Sequence, residues 1–307
     1  MADAPRSLLA LIGNTPLIDL PNLGRELPHG VRLSLKAEWA NPGGSVKDRA
    51  AAAIVEAALA SGALRAGGTL LDASSGNTGI AYAMLGAAMG FRVALCVPAS
   101  ANAERQRTLR IYGAEVILTD AGEGSDGAIV EARRRVAAAP TRYFYADQYN
   151  NPANWQAHLR STGPELVAQT GGGLTHFVVG LGTTGTCVGV GRYLRQHLPA
   201  ARVVAVQPSG PFHGLEGLKH LETAIVPGIY DASVPHAQVG CETEAAYAMA
   251  RRVARQEGLI VGISAGAALH VAWELARGLP EGAPAHVVAL APDSGARYLS
   301  EHFWQES

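Results

Sequence analysis

Short runs rich in β-branched residues alternate with helical stretches along this chain, and this alternation constrains the fold more than any other feature. It predicts strand Thr69–Ala73, helix Asn77–Met89 and strand Phe91–Val97 in direct succession. Strands His176–Val179 and Arg202–Gln207 repeat the pattern in the second half of the chain. Because two parallel strands need a crossover connection such as a helix, the sequence predicts an α/β fold with mostly parallel sheets.

The alternation is interrupted near residues 147–153, which predicts two α/β halves that face each other across a cleft. The second half is expected to contain one helix around Trp155–Gln169 and a strand at Leu259–Gly262. Residues 208–240 show no clear period, and irregular segments of this length are usually functional or mobile. The prediction is therefore a two-domain α/β enzyme, each domain having a twisted sheet flanked by helices.

Charge and composition exclude several classes of protein. The 307 residues are 17% charged and 48% hydrophobic with a net charge of -1, which argues against disorder and gives no electrostatic basis for binding nucleic acid. The three cysteines form no even disulfide framework, and the first residues lack a secretory signal pattern. No apolar run approaches the roughly 18 residues that a membrane span needs. We therefore expect a cytoplasmic protein with no membrane partner.

Only three of the 25 basic residues are lysines, so chemistry that needs a lysine amine has three candidates. Lys47 follows a turn with two glycines and begins an alanine-rich helix that Ser45 can cap. The positive end of the helix dipole disfavours an ammonium there, which favours the neutral amine of Schiff-base chemistry. Lys36 falls on the polar side of an alternating strand at Val31–Glu38 and is expected to be solvated. Lys219 is either an anion contact or an exposed residue.

Two strand-to-helix turns carry more hydroxyl groups than a helix cap needs. Residues 74–79 (SSGNTG) predict a site for a carboxylate or a phosphate. Residues 180–186 (GLGTTGT) suit a phosphate monoester. The second turn also matches the G-x-G-x-x-G pattern of dinucleotide sites, but the next strand ends at Gln207 without the acidic residue that such sites use.

A Schiff-base lysine, a carboxylate site and a phosphate site together predict pyridoxal 5′-phosphate as the cofactor and an amino acid as the substrate. The cofactor offers an aldehyde to the amine and a phosphate to the second turn. Ser264 lies at a third strand-to-helix turn, where it is either the partner of the pyridine nitrogen or a plain helix cap. The ten histidines show no metal-ligand spacing, so no metal is predicted.

These segments resemble the cysteine synthase and cystathionine β-synthase family, the fold type II pyridoxal-phosphate enzymes. The matching segments are IGNTPL at 12–17, NPGGSVKDR at 41–49, SSGNTG at 74–79, GLGTTGT at 180–186, GISAGAA at 262–268 and DSGARYLS at 293–300. Residues 211–220 (PFHGLEGLKH) replace a glycine-rich stretch of many relatives. Together with GLGTTGT and YNNPAN at 149–154, they are similar to the B-type branch of the family.

The resemblance implies a role for each matched residue. Lys47 would form the internal aldimine and later remove the α-proton, and Ser264 would meet the ring nitrogen. Asn77 would also lie near the 3′-oxygen of the cofactor. The residues implied in binding the substrate carboxylate are Ser74, Ser75, Gly76, Asn77, Thr78 and Gln148. The residues implied in binding the cofactor phosphate are Gly182, Thr183, Thr184, Gly185 and Thr186.

The resemblance also implies an activity and a division into domains. Residues 39–148 would form a smaller, mobile domain that binds the substrate carboxylate, and residues 1–38 plus 149–307 a larger domain that binds the cofactor phosphate. The implied enzyme is a cysteine synthase, which replaces the acetate of O-acetyl-L-serine with sulfide through an α-aminoacrylate intermediate. A homodimer is expected from the family.

Other functions stay open at this stage. O-Phosphoserine is an alternative donor, with Lys219 near its phosphate leaving group. The same fold also allows β-replacement on serine with homocysteine, as in cystathionine β-synthase, and deamination of serine or threonine. Outside this chemistry, residues 180–186 could serve a nicotinamide-dependent oxidoreductase, or the chain could be a non-catalytic cofactor-binding partner of another enzyme.

Overall fold

The computed structural model describes residues 7–305. Residues 1–6 and 306–307 lie outside that range. They include the start of the segment in which no secretory signal was predicted, and both ends of the predicted larger domain. The described chain divides into two compact units. The first unit comprises residues 7–12 and Lys47–Asn154, and the second comprises Gly13–Val46 and residues 155–305.

Strands and helices alternate along both units. The strands are β1 Leu17–Asp19, β2 Val31–Ala37, β3 Thr69–Ala73, β4 Arg92–Pro98, β5 Glu115–Thr119, β6 Tyr143–Tyr145, β7 His176–Gly180, β8 Arg202–Pro208, β9 Ala237–Cys241 and β10 Ala285–Ala291. The α-helices are α1 Pro21–Gly24, α2 Lys47–Ser61, α3 Asn77–Met89, α4 Ala103–Ile111, α5 Gly124–Ala138, α6 Ala153–Arg160, α7 Thr162–Gln169, α8 Gly185–His197, α9 Thr243–Glu257 and α10 Ile263–Arg277. Short 3-10 helices lie at Leu8–Leu11, Glu38–Ala40, Gly295–Tyr298 and His302–Trp304.

The first unit contains a four-stranded parallel sheet in the order β5-β4-β3-β6. Its central strand β3 is buried along its whole length, as expected for a parallel strand covered on both faces. Leu71 and Ala94 pack with Ile129 of α5 in the core of this unit. The loop that follows β3 therefore emerges at the carboxyl edge of the sheet, where ligands of open α/β sheets bind.

The second unit contains a six-stranded sheet in the order β1-β2-β10-β7-β8-β9. Only β1 is antiparallel to its neighbour, and the other pairs are parallel. Alternate residues of β7 enter two different cores, because successive side chains of a strand point to opposite faces. Val178 packs on the face covered by Leu269 of α10, and Phe177 and Val179 pack on the face covered by Leu194 of α8.

The predicted fold class is confirmed, and several predicted elements have the predicted bounds. Strand Thr69–Ala73 and helix Asn77–Met89 are present as expected. The helix ends at Gly90, whose φ of 79° closes it in the left-handed conformation that glycine adopts without strain. Strand Phe91–Val97 is shifted by one residue, to Arg92–Pro98.

Three element predictions in the second unit were wrong. The expected helix Trp155–Gln169 is two helices, because Ser161 leaves helical geometry with φ −127° and ψ −68°. Leu259–Gly262 is not a strand and makes only one isolated bridge, between Val261 and Ser294. The irregular segment 208–240 ends in the missed edge strand β9, whose exposed, weakly alternating residues give little sequence signal.

Lys36 is buried, so the prediction of a solvated side chain was wrong. Its side chain is fully shielded from solvent in β2. The Nζ donates hydrogen bonds to the Thr15 carbonyl oxygen at 2.7 Å, to Glu165 at 2.7 Å and to Gln169 Oε1 at 2.8 Å. Helices cover both faces of β2, because Leu33 and Leu35 pack with α10 on one side and Lys36 meets α7 on the other. The buried ammonium is paired as a buried charge must be.

Among residues 7–305, no helix is long and apolar enough to cross a membrane. In the same range, no group of histidine, cysteine and acidic side chains is arranged to hold a metal ion.

Candidate active site

Lys47 is the first residue of α2, and its side chain is half-buried. The turn before it is fixed by Asn41, whose Oδ1 accepts the Gly13 N–H at 2.8 Å. The Nδ2 of Asn41 donates to the carbonyl oxygen of Glu38 at 2.9 Å and to Glu38 Oε2 at 3.0 Å. Glu38 is itself buried and accepts the Thr15 hydroxyl at 2.7 Å. These contacts hold the chain that leads into Lys47 in one conformation.

The same turn is also held by the segment after β10. The Val46 N–H donates to the Pro292 carbonyl oxygen at 2.8 Å, and Ser45 forms an antiparallel bridge with Asp293. The Arg297 guanidinium donates to the Gly43 carbonyl oxygen. Residues 293–300 were predicted to match the family, but no contact between them and the lysine segment was predicted.

The loop after β3 brings together residues predicted to bind a carboxylate. The Thr78 hydroxyl donates to Gln148 Oε1 at 2.8 Å, and Gln148 Nε2 donates to the Ala73 carbonyl oxygen at 3.0 Å. The Ser74 hydroxyl accepts the Gly79 N–H at 3.1 Å. Gln148 is therefore bound to this loop across 70 residues of sequence.

Ser75, Gly76 and Asn77 lie at the start of α3 and are partly exposed. The cap residue Gly76 has no side chain and the Ser74 hydroxyl caps the Gly79 N–H, so an anion would approach the backbone N–H groups that precede Gly79. A Cβ at Gly79 would lie 2.6 Å from the Ser74 carbonyl oxygen, which restricts this position to glycine. The loop can therefore approach a carboxylate with backbone N–H groups and hydroxyls together.

The second hydroxyl-rich turn connects β7 to α8 and ends in Gly185, the first residue of the helix. Thr183 is buried, and Thr186 is partly buried. Thr184 caps α8 in the left-handed conformation, with φ 68° and no side-chain cap hydrogen bond. Its hydroxyl is buried and has no hydrogen-bond partner among the described residues. Because an unpaired buried hydroxyl is costly, a ligand with oxygen acceptors, such as a phosphate, fits here.

Residues 214–221 pack against this turn. The Lys219 N–H donates to the Leu181 carbonyl oxygen at 2.8 Å, and a Cβ at Gly182 would overlap the Gly217 carbonyl oxygen. Gly217 has a φ of +88° and lies close to Ser264, because a Cβ added to Gly217 would be 4.0 Å from the Ser264 hydroxyl. Ser264 is buried as the second residue of α10. Ser264 and the phosphate turn are therefore linked through one segment, and the Lys219 side chain is half-buried beside them.

His158 was missed by the sequence analysis. Its ring is buried in α6, with Nδ1 2.9 Å from the Thr162 hydroxyl and Nε2 3.3 Å from the Thr186 hydroxyl. A histidine at this spacing looks like any other helical residue, so only the packing of α6 against α8 could show the contact. That packing requires Gly189, because a Cβ there would overlap the Trp155 carbonyl oxygen.

Comparison with known proteins agrees with this arrangement. The family model described as "Pyridoxal-phosphate dependent enzyme" matches residues 8–293. The chain belongs to this pyridoxal-phosphate-dependent enzyme family. The predicted resemblance and the predicted cofactor are thereby confirmed.

Individual members of the pyridoxal-phosphate-dependent family match over nearly the full chain. The chain is 47% identical over 299 residues to the "Cysteine synthase" of Aquifex aeolicus, covering 97% of this chain and 91% of that protein. It is 41% identical over 291 residues to "Cysteine synthase B" of Pseudomonas aeruginosa, covering 94% of each. The crystal structure of "Cysteine Synthase (OASS)" from Entamoeba histolytica has a TM-score of 0.93 and 33% identity, covering 100% of this chain and 94% of that chain.

The residues present fit pyridoxal phosphate. The buried, unpartnered Thr184 hydroxyl and the start of α8 provide a site for its phosphate. Ser264 offers a neutral hydroxyl of the kind that can hydrogen-bond a ring nitrogen. The position where a dinucleotide site uses an acid is occupied by Gln207, whose Oε1 accepts the Leu221 N–H at 3.2 Å. This structural use of Gln207 counts against the oxidoreductase alternative.

Proposed function

We propose that the chain is a cysteine synthase that converts O-acetyl-L-serine and sulfide to L-cysteine and acetate. The observation that carries the proposal is the hydrogen bond between Thr78 and Gln148, because it brings together two of the predicted ligands of an amino-acid carboxylate. Relatives named cysteine synthase support the choice of this reaction within the family.

The cofactor would be held at three points by residues of this chain. Lys47 would bind it covalently through Nζ. The phosphate would be bound by Gly182, Thr183, Thr184, Gly185 and Thr186, and the ring nitrogen by Ser264. When bound, pyridoxal phosphate supplies an electron sink for the electron pair released at the substrate Cα.

Residues of the first loop would fix the substrate carboxylate, which orients the Cα–H bond for proton removal. The proposed ligands are Ser74, Ser75, Gly76, Asn77, Thr78 and Gln148. Gln148 is already held by two side-chain hydrogen bonds, so little freedom remains to be lost on binding. Once the substrate amine has replaced it on the cofactor, Lys47 Nζ would be released as an amine and would accept the Cα proton as a general base.

In the overall reaction, the bond between Cβ and the acetate oxygen breaks and a bond between Cβ and sulfur forms. The neutral Ser264 hydroxyl, unlike a carboxylate, does not force the ring nitrogen to remain protonated. This partner on the ring nitrogen would favour prompt loss of the β-leaving group from the substrate. We infer that this is why a serine suits β-replacement.

O-Phosphoserine is a second candidate donor. The observation that favours it is the position of Lys219, whose backbone N–H binds the phosphate turn at Leu181. If the Lys219 side chain meets a phosphate leaving group, Lys219→Ala should lower kcat/KM for O-phosphoserine and leave that for O-acetylserine unchanged. An equal effect on both donors would remove this candidate.

We further propose the domain roles, location and assembly expected from the family. Residues 39–148 would bind the substrate carboxylate, and residues 1–38 plus 149–307 the cofactor phosphate. We also propose that the protein is a cytoplasmic homodimer. Light scattering during gel filtration tests the assembly, and a monomer would contradict it.

The reaction is tested by incubating the cofactor-loaded protein with O-acetyl-L-serine and sulfide and identifying the products. L-Cysteine and acetate in equal amounts are expected. Formation of cystathionine from serine and homocysteine, or of pyruvate from serine, at a higher kcat/KM would contradict the proposal.

A further inference from the structure

Asp72 is a buried carboxyl group at the end of β3 that no step above uses. It lies two residues before the carboxylate loop, which begins at Ser74, and 1% of its surface is exposed. Burial of a carboxylate is costly unless hydrogen bonds compensate for it. The contacts of Asp72 therefore indicate what its charge is retained for.

Both oxygens of Asp72 accept backbone N–H groups of the carboxylate site. Oδ1 accepts from Ala73 at 2.8 Å, and Oδ2 accepts from Gln148 at 3.3 Å. Gln148 Nε2 returns a bond to the Ala73 carbonyl oxygen at 3.0 Å. Asp72 thus closes a ring of hydrogen bonds that fixes the backbone on both sides of the predicted carboxylate ligands.

Gln148 needs this support because the chain around it is strained. Asp147, the residue before it, has φ 44°, which costs a non-glycine residue energy. The Gln148 carbonyl oxygen accepts from Asn154 Nδ2 at 2.8 Å, and its N–H is held by Asp72. Within residues 7–305, Asp72 is the acceptor of that N–H, so loss of this bond would let the backbone of Gln148 move and carry with it the side chain that meets Thr78.

We propose that Asp72 is a positioning residue whose carboxylate form holds Gln148 in place for the substrate carboxylate, so that protonation of Asp72 weakens substrate binding. This inference rests on the proposed function, because Gln148 is taken there as a ligand of the substrate carboxylate. It adds a residue and a pH dependence that the proposed function does not contain.

The surroundings of Asp72 place its titration near neutral pH. Burial, opposed by the N–H groups of Ala73 and Gln148, raises the pKa of Asp72 to about 7. The negative charge of Asp147 raises this pKa further, whereas the nearby Tyr82 hydroxyl lowers it. The other titratable groups coupled to Asp72 are Cys96 of β4, Tyr145 of β6 and Tyr149 of the following turn.

The test compares Asp72→Asn with the wild type as a ratio of KM values for O-acetyl-L-serine, which cancels the ionisation of the substrate. The asparagine is neutral, and its NH2 group cannot accept a hydrogen bond, so either the Ala73 N–H or the Gln148 N–H loses its acceptor. At about pH 8 the ratio should be on the order of ten, the effect of one hydrogen bond to a charged group, with kcat changed less. At about pH 6 the ratio should approach one, because the wild-type carboxyl is then protonated.

Asp147→Asn is the matched control, since it removes a neighbouring carboxylate that does not bind the Gln148 N–H. Asparagine tolerates the positive φ of this position. Without the charge of Asp147, the pKa of Asp72 falls, so the rise of KM in acid should move to lower pH while KM at about pH 8 is unchanged. This measurement also tests the inference if Asp72→Asn does not fold.

A double variant tests the route of the effect. In a Gln148→Ala background, Asp72→Asn should raise KM no further, because the two residues act through one contact. Additive effects would overturn the inference, as would a KM ratio that is the same at both pH values. If the wild type forms no L-cysteine, the proposed function fails. The same ratios are then measured as dissociation constants for L-serine from the cofactor absorbance.

Discussion

At the scale of single residues, the Thr184 hydroxyl carries the assignment of the phosphate site. It is buried without a partner, so it adds nothing to the stability of the cofactor-free protein. Thr184→Val should therefore leave the melting temperature of the cofactor-free protein unchanged or higher. It should weaken cofactor binding by about 1–3 kcal/mol, measured by equilibrium titration with pyridoxal phosphate.

Thr119→Val is the matched control, because the Thr119 hydroxyl is also buried and unpartnered among the described residues but lies in β5. It should leave cofactor affinity unchanged. Thr184→Ser keeps the hydroxyl and should retain most of the affinity. Equal affinity in Thr184→Val and the wild type would contradict the assigned phosphate site.

Lys36 is the residue at which sequence and structure differ most. Its replacement in Lys36→Met leaves the Glu165 carboxylate without its buried partner, which should lower the free energy of unfolding by about 3–5 kcal/mol. Arg134→Met removes a surface pair with Glu131, in which the arginine is 65% exposed, and should cost less than about 1 kcal/mol. Urea denaturation of both variants measures the difference, and equal costs would show that Lys36 is solvated.

At the scale of elements, the close approach of α6 and α8 positions the phosphate turn. Gly189→Ala should destabilise the protein by about 1–3 kcal/mol and lower its affinity for pyridoxal phosphate, because α8 must move away from Trp155. Gly210→Ala is the control, since a Cβ there meets nothing within 4 Å. Thermal melting and cofactor titration test both variants, and a wild-type melting temperature in Gly189→Ala would contradict the packing.

Element prediction succeeded where local patterns and termination signals agree. Helix Asn77–Met89 follows a strand directly and ends at a glycine, so both ends are marked in the sequence. The prediction that Lys36 is solvated was wrong because the alternation along β2 indicates one polar face, whereas neighbouring elements cover both faces. The break at Ser161 was not predicted because the helical pattern of the sequence continues on both sides of it.

For the candidate site too, the sequence indicates the residues that lie in local patterns and not those that depend on distant contacts. Residues on turns, such as Ser74 and Thr184, stand out because hydroxyls and glycines cluster in the sequence. His158 and Asp72 do not stand out, because each acts through a contact with a distant or buried group. Their partners, Thr186 and Gln148, were predicted, and only the folded chain shows what holds them.

At the scale of the whole molecule, each unit carries one of the two proposed anion sites, at the carboxyl end of a parallel strand in its own sheet. The first unit supplies the loop after β3, and the second supplies the turn after β7. This placement follows the general rule for ligands of open α/β sheets. An amino acid with a carboxylate and a cofactor with a phosphate need two such sites, which is why a chain of two α/β units suits this chemistry.

The central claim is that Lys47 and bound pyridoxal phosphate convert O-acetyl-L-serine and sulfide to L-cysteine. The most direct test records the absorption spectrum of the purified protein and its L-cysteine production, for the wild type and for Lys47→Ala. The wild type should show a cofactor band at about 410 nm and form L-cysteine, and Lys47→Ala should lose both the covalent cofactor and the activity. Undiminished L-cysteine formation by Lys47→Ala, or a wild type that binds no pyridoxal phosphate, would contradict the account.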